Sequence, residues 1–105
     1  MSKEEIEFHK IGESIQEATK GKLFGKACYS IGKKAFVCFH EDAMVFKLPF
    51  ITHSEALELQ GSHLFDPSKK GRPMKEWVQV SYEHKTSWSQ FAKSAARYIS
   101  DLQKN

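Results

Sequence analysis

Two cysteines and a histidine are the residues of this sequence best suited to covalent chemistry. Cys28, Cys38 and His40 fall in neighbouring apolar segments, and a thiol beside an imidazole is the arrangement that activates a cysteine nucleophile. Cysteine in apolar surroundings is more often a packing residue, because an activated thiol needs a positive, accessible setting. We therefore retain a cysteine-based redox sensor, using Cys28 and Cys38, as an alternative hypothesis.

Other patterns for catalysis or metal binding are incomplete. The segment GKLFGKA, residues 21–27, has GxxxGK spacing rather than GxxxxGK, and no Ser or Thr follows Lys26 to hold magnesium. The N-terminal glutamates belong to a helix start and a solvated face, so they offer no inward pair for general acid–base catalysis. No His or Cys pair has the CxxC or HxxxH spacing of a zinc site. The sequence predicts a protein that is not an enzyme, with no catalytic residues, metal or cofactor.

Two basic clusters are the segments best suited to an anionic partner. The first has five lysines and no acidic residue between positions 20 and 34, and the second is in the segment KKGRPMK. With aromatic rings on an exposed sheet face, they could bind single-stranded nucleic acid through charge and stacking. We regard a solvated loop as the simpler interpretation and nucleic-acid binding as an alternative. The candidate anion contacts are Lys69, Lys70, Arg72 and Lys75.

Length and composition indicate a single folded domain. The chain has 105 residues, 40% of them hydrophobic, with eight Phe and a formal net charge of +3. Disordered chains are poor in aromatic residues, and a charge of this size is too weak to imply nucleic-acid binding by itself. The charged N-terminus MSKEEIEFHK does not resemble a signal peptide, and no apolar run approaches a membrane span. We expect a cytoplasmic protein with reduced thiols and no membrane partner.

Apolar residues at helical spacing predict three helices. The first follows a cap at Ser2 and is expected to end at Gly21. The second begins at a capping box on Thr52 and is short, whereas the third, over residues 86–105, begins at a capping box on Ser87. The apolar stripes of the first and third helices comprise Phe8, Ile11, Ile15, Ala18, Trp88, Phe91, Ala95, Tyr98, Ile99 and Leu102.

Segments rich in aromatic and β-branched residues predict five strands. KLFGKACYS, KAFVCFHE and AMVFKLPF precede the second helix, and SHLFDP and MKEWVQVSYE follow it. A two-residue turn at Glu41 and Asp42 would place Phe39 opposite Met44 in an all-apolar face. The predicted fold class is α+β: a two-layer α/β arrangement, helix–three strands–helix–two strands–helix, with a mainly antiparallel sheet and helices on one face.

This architecture leaves the other face of the sheet without helices. Strand alternation places Phe36, Cys38, Val45 and Trp77 there, which is more apolar than an ordinary solvated surface. A monomer rarely leaves such a patch exposed, and aromatic anchors dominate interface energetics. We expect this face to bind a second copy of the chain, giving a homodimer, or another protein partner.

Several motifs in series resemble a known family. Phe24-Gly25, IGKKAFVCF, MVFKLP and LFDPSKKGRPMKEWVQV are similar, in this order, to the N-terminal domain family of the TfoX/Sxy competence regulators, and more distantly to YjbR-like proteins. The resemblance implies a secretion-chaperone-like α/β fold and a transcription-linked regulatory role, without known catalytic residues. We expect residues 1–105 to form one such domain, acting as a non-enzymatic regulatory or protein-interaction module.

Overall fold

A computed structural model describes residues 1–103, so the last two residues of the third predicted helix lie outside it. The described chain has an α+β, two-layer fold, with α-helices packed on a six-stranded antiparallel sheet of order β1-β2-β3-β4-β6-β5. The helices are α1 (Lys3–Ser14), α2 (Phe50–Leu57) and α3 (Lys85–Leu102), with a 3-10 turn at Tyr82–His84. The strands are β1 (Ala18–Leu23), β2 (Lys26–Ile31), β3 (Lys34–His40), β4 (Ala43–Lys47), β5 (His63–Phe65) and β6 (Met74–Val80).

The helices bury their apolar stripes against one face of the sheet, forming what we call the helix-side core. Trp88, Ala95 and Ile99 of α3 are fully buried there, together with Phe8 of α1. The Trp88 indole Nε1 donates to the Ser81 carbonyl at 3.2 Å, so its polar atom is satisfied. The stripe ends before Leu102, which is 54% exposed. No helix within residues 1–103 combines the length and apolar character that a membrane crossing needs.

The boundary between α1 and the first strand differs from the prediction. The helix ends at Ser14, and the following residues form β1, whose Gly21 pairs with Cys28 rather than ending a helix. Phe24 and Gly25 both have positive φ, 54° and 74°, which a two-residue hairpin turn needs. The segment expected to be one strand is therefore two, because the chain reverses at Phe24-Gly25 and residues 18–23 pair along their whole length with β2.

Two predicted capping boxes are also absent. The helix α2 begins at Phe50 after an extended Pro49, and Thr52 accepts a hydrogen bond from Ser94 Oγ at 3.1 Å instead of capping. The start of α3 is Lys85, two residues before Ser87, because the 3-10 turn leads directly into the helix. The Ser2 cap is confirmed by its bond from the Glu5 amide at 3.1 Å.

The β3–β4 register is confirmed, but a bulge alters one end of β3. Phe39 lies opposite Met44, as predicted. Between β2 and β3 the partners change from Tyr29–Val37 to Ser30–Ala35, which leaves Phe36 as an extra residue in β3. A bulge of this kind breaks the alternation of side chains. Phe36 therefore joins the helix-side core, and Ala35 turns to the opposite face.

The sheet curls until its helix-free face closes on itself. Three strand spacings separate β3 from β5, about 14 Å in a flat sheet, yet the rings of His40 and Phe65 have centroids 5.2 Å apart. The loop after β5 continues over this face, with Lys69 Nζ 2.8 Å from Glu41 Oε2. A second bulge, between Leu64 and Phe65, accompanies the bend. The enclosed apolar residues, which we call the reverse-side core, are Cys28, Cys38, Val45, Phe65 and Trp77.

Candidate functional site

The face predicted to bind a partner is not an exposed surface. Cys38, Val45 and Trp77 are 1%, 0% and 6% exposed in the reverse-side core, and Phe36 is fully buried on the helix side. The expectation of an open apolar face was wrong because β5 and the loop after it fold over Cys38, Val45 and Trp77, and because the bulge in β3 turns Phe36 to the helix side. A second copy or another protein could not contact these four residues without displacing part of the chain.

The two cysteines face each other but are held as neutral thiols. Cys28 lies directly opposite Cys38 in the β2–β3 ladder, and both thiols are free. Burial, followed by the adjacent Cys28, raises the pKa of the Cys38 thiol to about 12, although Lys26 opposes this. Burial also raises the pKa of Cys28. His40 Nε2 lies 3.5 Å from Glu41, and burial lowers the pKa of the imidazole. This arrangement disfavours the thiolate that nucleophilic chemistry needs.

The basic loop between β5 and β6 holds an anion of its own. The Asp66 carboxylate accepts hydrogen bonds from Ser68 Oγ at 2.9 Å, the Lys69 amide at 3.1 Å and the Gly71 amide at 3.0 Å. Burial opposes ionisation, but these hydrogen bonds outweigh it and lower the pKa of Asp66. The Lys69 ammonium is paired with Glu41. The amides of Lys69 and Gly71 are therefore already bonded within the chain. So is the ammonium of Lys69, the first predicted anion contact.

The remaining basic residues lie in two separate regions. Lys70, Arg72 and Lys75 have exposed side chains, and their role as anion contacts stays a prediction. Lys20 and Lys22 of the first cluster lie in β1, opposite Tyr29 and Ala27, and Lys26 begins β2. The first cluster is therefore spread along the β1–β2 hairpin.

An exposed apolar pair at the start of α2 is the more useful surface. Phe50 is 84% exposed and Ile51 is 71% exposed, whereas the side chain that α2 buries fully is the small Ala56. Leu57, two turns along the helix from Phe50, is partly exposed as well. Contiguous exposed apolar side chains can mark an interaction site. Here they belong to a helix whose fully buried side chain is a small alanine.

Two lysines lie on the segments that adjoin the start of α2. Lys47 pairs with Trp77 at the end of β4, three residues before Phe50. His53, one turn after Phe50, forms a 2.7 Å hydrogen bond to the Lys75 carbonyl, which brings the start of β6 alongside α2. Lys47 and Lys75 line one shallow pocket of about 330 Å³. We call the group of Phe50, Ile51, Lys47 and Lys75 the α2 surface.

One acidic residue, Glu76, also lines this pocket. Its Oε1 accepts a hydrogen bond from the Tyr98 hydroxyl at 3.1 Å, so the carboxylate is partly engaged within the chain. Burial, and then this carboxylate, raise the pKa of Tyr98, so the phenol stays a donor near neutral pH. The α2 surface therefore combines exposed apolar area at the start of α2 with two cationic side chains on the adjoining strands, which suits an apolar partner with negative charge.

Sequence reasoning missed this surface because it assigned Phe50 to the preceding strand. In the segment LPFITHSEAL a helix beginning at Thr52 leaves Phe50 and Ile51 before the helix. Proline is favoured at helix starts, and a helix that begins directly after Pro49 puts both residues in its first turn. With the helix beginning at Phe50, helical spacing places Phe50 and Ile51 on a different side of α2 from the buried Ala56.

Within the described range, residues 1–103, no cluster of His, Cys, Asp or Glu has the arrangement of a metal site. The chain matches no model of a known protein family, no curated protein and no solved structure.

Proposed function

We propose that this protein is a non-enzymatic interaction module that binds another protein through the α2 surface. The observation that carries the proposal is the exposure of Phe50 and Ile51 side by side, 84% and 71%. Lys47 lies three residues before Phe50, and the Lys75 carbonyl bonds to His53 of the same helix. Burying each apolar side chain in an interface is worth about 1.5–3 kcal/mol. Two adjacent anchors of this kind are enough to form the centre of a modest interface.

The partner we infer is an acidic, apolar protein segment. Apolar side chains of the partner would cover Phe50 and Ile51, and its carboxylates would lie near Lys47 and Lys75. Complementary charges of this kind increase the rate of association and reject unsuitable partners. A second copy using the same surface would bring the two lysine pairs together, so we favour a different protein over a homodimer.

The resemblance to TfoX/Sxy N-terminal domains supports a regulatory role. That resemblance stays a prediction. Nucleic-acid binding receives less support, because Phe36 and Trp77, the rings expected to stack on bases, are buried. A thiol-based sensor also receives less support, because the raised pKa of Cys38 disfavours its reactive form.

A peptide selection tests the proposal. Displayed peptides would be selected on the wild-type protein and counter-selected on a Phe50→Ser, Ile51→Ser double variant. We expect enriched peptides to combine apolar residues with Asp or Glu, and to bind the double variant at least tenfold more weakly. Both positions are exposed, so the substitutions should leave the fold intact.

Phe24→Ser is the matched control, because Phe24 is 58% exposed on the β1–β2 turn, away from α2. The control should bind the selected peptides like the wild type. Enriched peptides that bind the double variant as well as the wild type, or that lack acidic residues, would contradict the proposal.

A further inference from the structure

A cleft of about 440 Å³ opens at one end of the curled sheet. Its walls come from five parts of the chain: the start of α1, the β3–β4 turn, residues 61–63 at the start of β5, the end of β6 and the residues that follow β6. Its polar lining includes Glu4, Glu41, Asp42, Gln79, Ser81 and Glu83. The volume lies within the range of about 300–1,000 Å³ that is common for small-ligand sites.

Four carboxylates around this cleft outnumber the nearby lysines. Lys3 Nζ and Lys85 Nζ lie 5.5 Å and 4.9 Å from the centre of the Tyr82 ring, which also lines the cleft. Glu41 is neutralised in part by Lys69, and Glu83 Oε1 lies 3.5 Å from His84 Nε2 and 3.4 Å from the Ser81 hydroxyl. Glu4 and Asp42 have no ion pair among residues 1–103. Glu4 also has a structural role in the first turn of α1, where a negative charge favours the helix dipole. Acidic side chains alone would therefore not identify a binding site.

Gln79 supplies the independent observation. It is a polar side chain that is only 9% exposed, and it lines the cleft. Its backbone is in the ladder between Val45 and His63, but its amide side chain has no hydrogen bond to any described residue. Among residues 1–103 the fully buried side-chain polar atom without a partner is Ser62 Oγ, so solvent reaches the Gln79 amide where it lines the cleft. A ligand in the cleft that donates to the amide oxygen would take the place of that solvent.

We propose that this cleft binds a small organic cation through a primary ammonium or guanidinium group. Its N–H donors would bond to the Gln79 side-chain oxygen and to the carboxylates of Asp42 and Glu83. Such charge-assisted hydrogen bonds are about twice as strong as neutral ones. The site is separate from the α2 surface, so the inference does not depend on the proposed function.

Agmatine, which carries both groups, is a suitable probe for calorimetry and for amide chemical-shift mapping. We expect it to bind and to shift the amide signals of Asp42, Gln79 and Glu83. Tetramethylammonium has the same sign of charge without N–H donors, and it should bind at least tenfold more weakly. No binding of agmatine, or equal binding of the two cations, would overturn the proposal.

Substitutions locate the site. Gln79→Leu should weaken agmatine binding about tenfold while leaving the unfolding temperature close to the wild-type value, because the amide bonds to no other described residue. Asp42→Asn and Glu83→Gln, at exposed positions, should each weaken binding severalfold, which keeps the test valid if Gln79→Leu fails to fold. Glu55→Gln and Glu58→Gln on the exposed side of α2 are the controls, and they should leave binding unchanged. Equal losses in the control variants would show nonspecific attraction and overturn the assignment.

Discussion

The two faces of the sheet are both buried, but they are covered in different ways. The helix-side core lies under long elements such as the 18-residue α3, whereas the reverse-side core lies under the three-residue β5 and the loop after it. Short elements with few contacts open at lower free energy than long, well-packed ones. We therefore expect the reverse side to open locally and the helix side to open only with global unfolding.

Removing the largest side chain of the helix-side core should have the largest effect. Trp88→Ala deletes a fully buried indole and its hydrogen bond to Ser81, and it should lower the free energy of unfolding by about 3–5 kcal/mol. Chemical denaturation monitored by circular dichroism measures this. Leu102→Ala, at an exposed position of the same helix, is the control and should change stability by less than about 0.5 kcal/mol. A loss below about 1 kcal/mol for Trp88→Ala would contradict the assignment of α3 as the main cover.

Removing the ring that closes the reverse side should have a smaller effect on stability and a distinct effect on the thiols. Phe65→Ala should cost about 3 kcal/mol, at the lower end for Phe→Ala because β5 is short. Under native conditions it should also increase the rate at which Cys28 and Cys38 react with a thiol reagent. Trp88→Ala, measured where it remains folded, should leave that rate closer to the wild-type value. Equal rates in the two variants would show that the faces do not open independently.

The smallest effect concerns alkaline pH and the cysteine pair. Folding raises the pKa of the Cys38 thiol to about 12, against 9.0 unperturbed. As the pH rises, this thiol therefore loses its proton in the unfolded chain before it does so in the folded protein. Stability from this group is therefore fully present below pH 9 and is lost as the pH rises from 9 towards 12, by at most about 1.4 kcal/mol per pH unit. Denaturation between pH 8 and 10.5 measures the slope. Cys38→Ala should have a shallower slope, and identical slopes would contradict the buried-thiol description.

Local patterns in the sequence determined the parts of the fold that depend on neighbouring residues. The α3 stripe, the Ser2 cap and the Glu41-Asp42 turn with its register all follow from side-chain spacing over a few residues, and all are present. The predicted end of α1 failed because residues 18–23 gain more from pairing with β2 than from extending the helix. The predicted open face failed because β5 and the loop after it cover Cys38, Val45 and Trp77, and because the bulge in β3 moves Phe36 to the helix side.

What the sequence by itself determined is the α+β fold class and the apolar composition of both sheet faces. Tertiary structure decided which of those apolar residues meet solvent. The curl that brings Phe65 to His40 buries the face predicted to be open, and the start of α2 after Pro49 exposes Phe50 and Ile51 instead. Periodicity assigns a side chain to one face of an element, but burial depends on what packs over that face. In this chain the covering residues lie up to three strands away across the sheet.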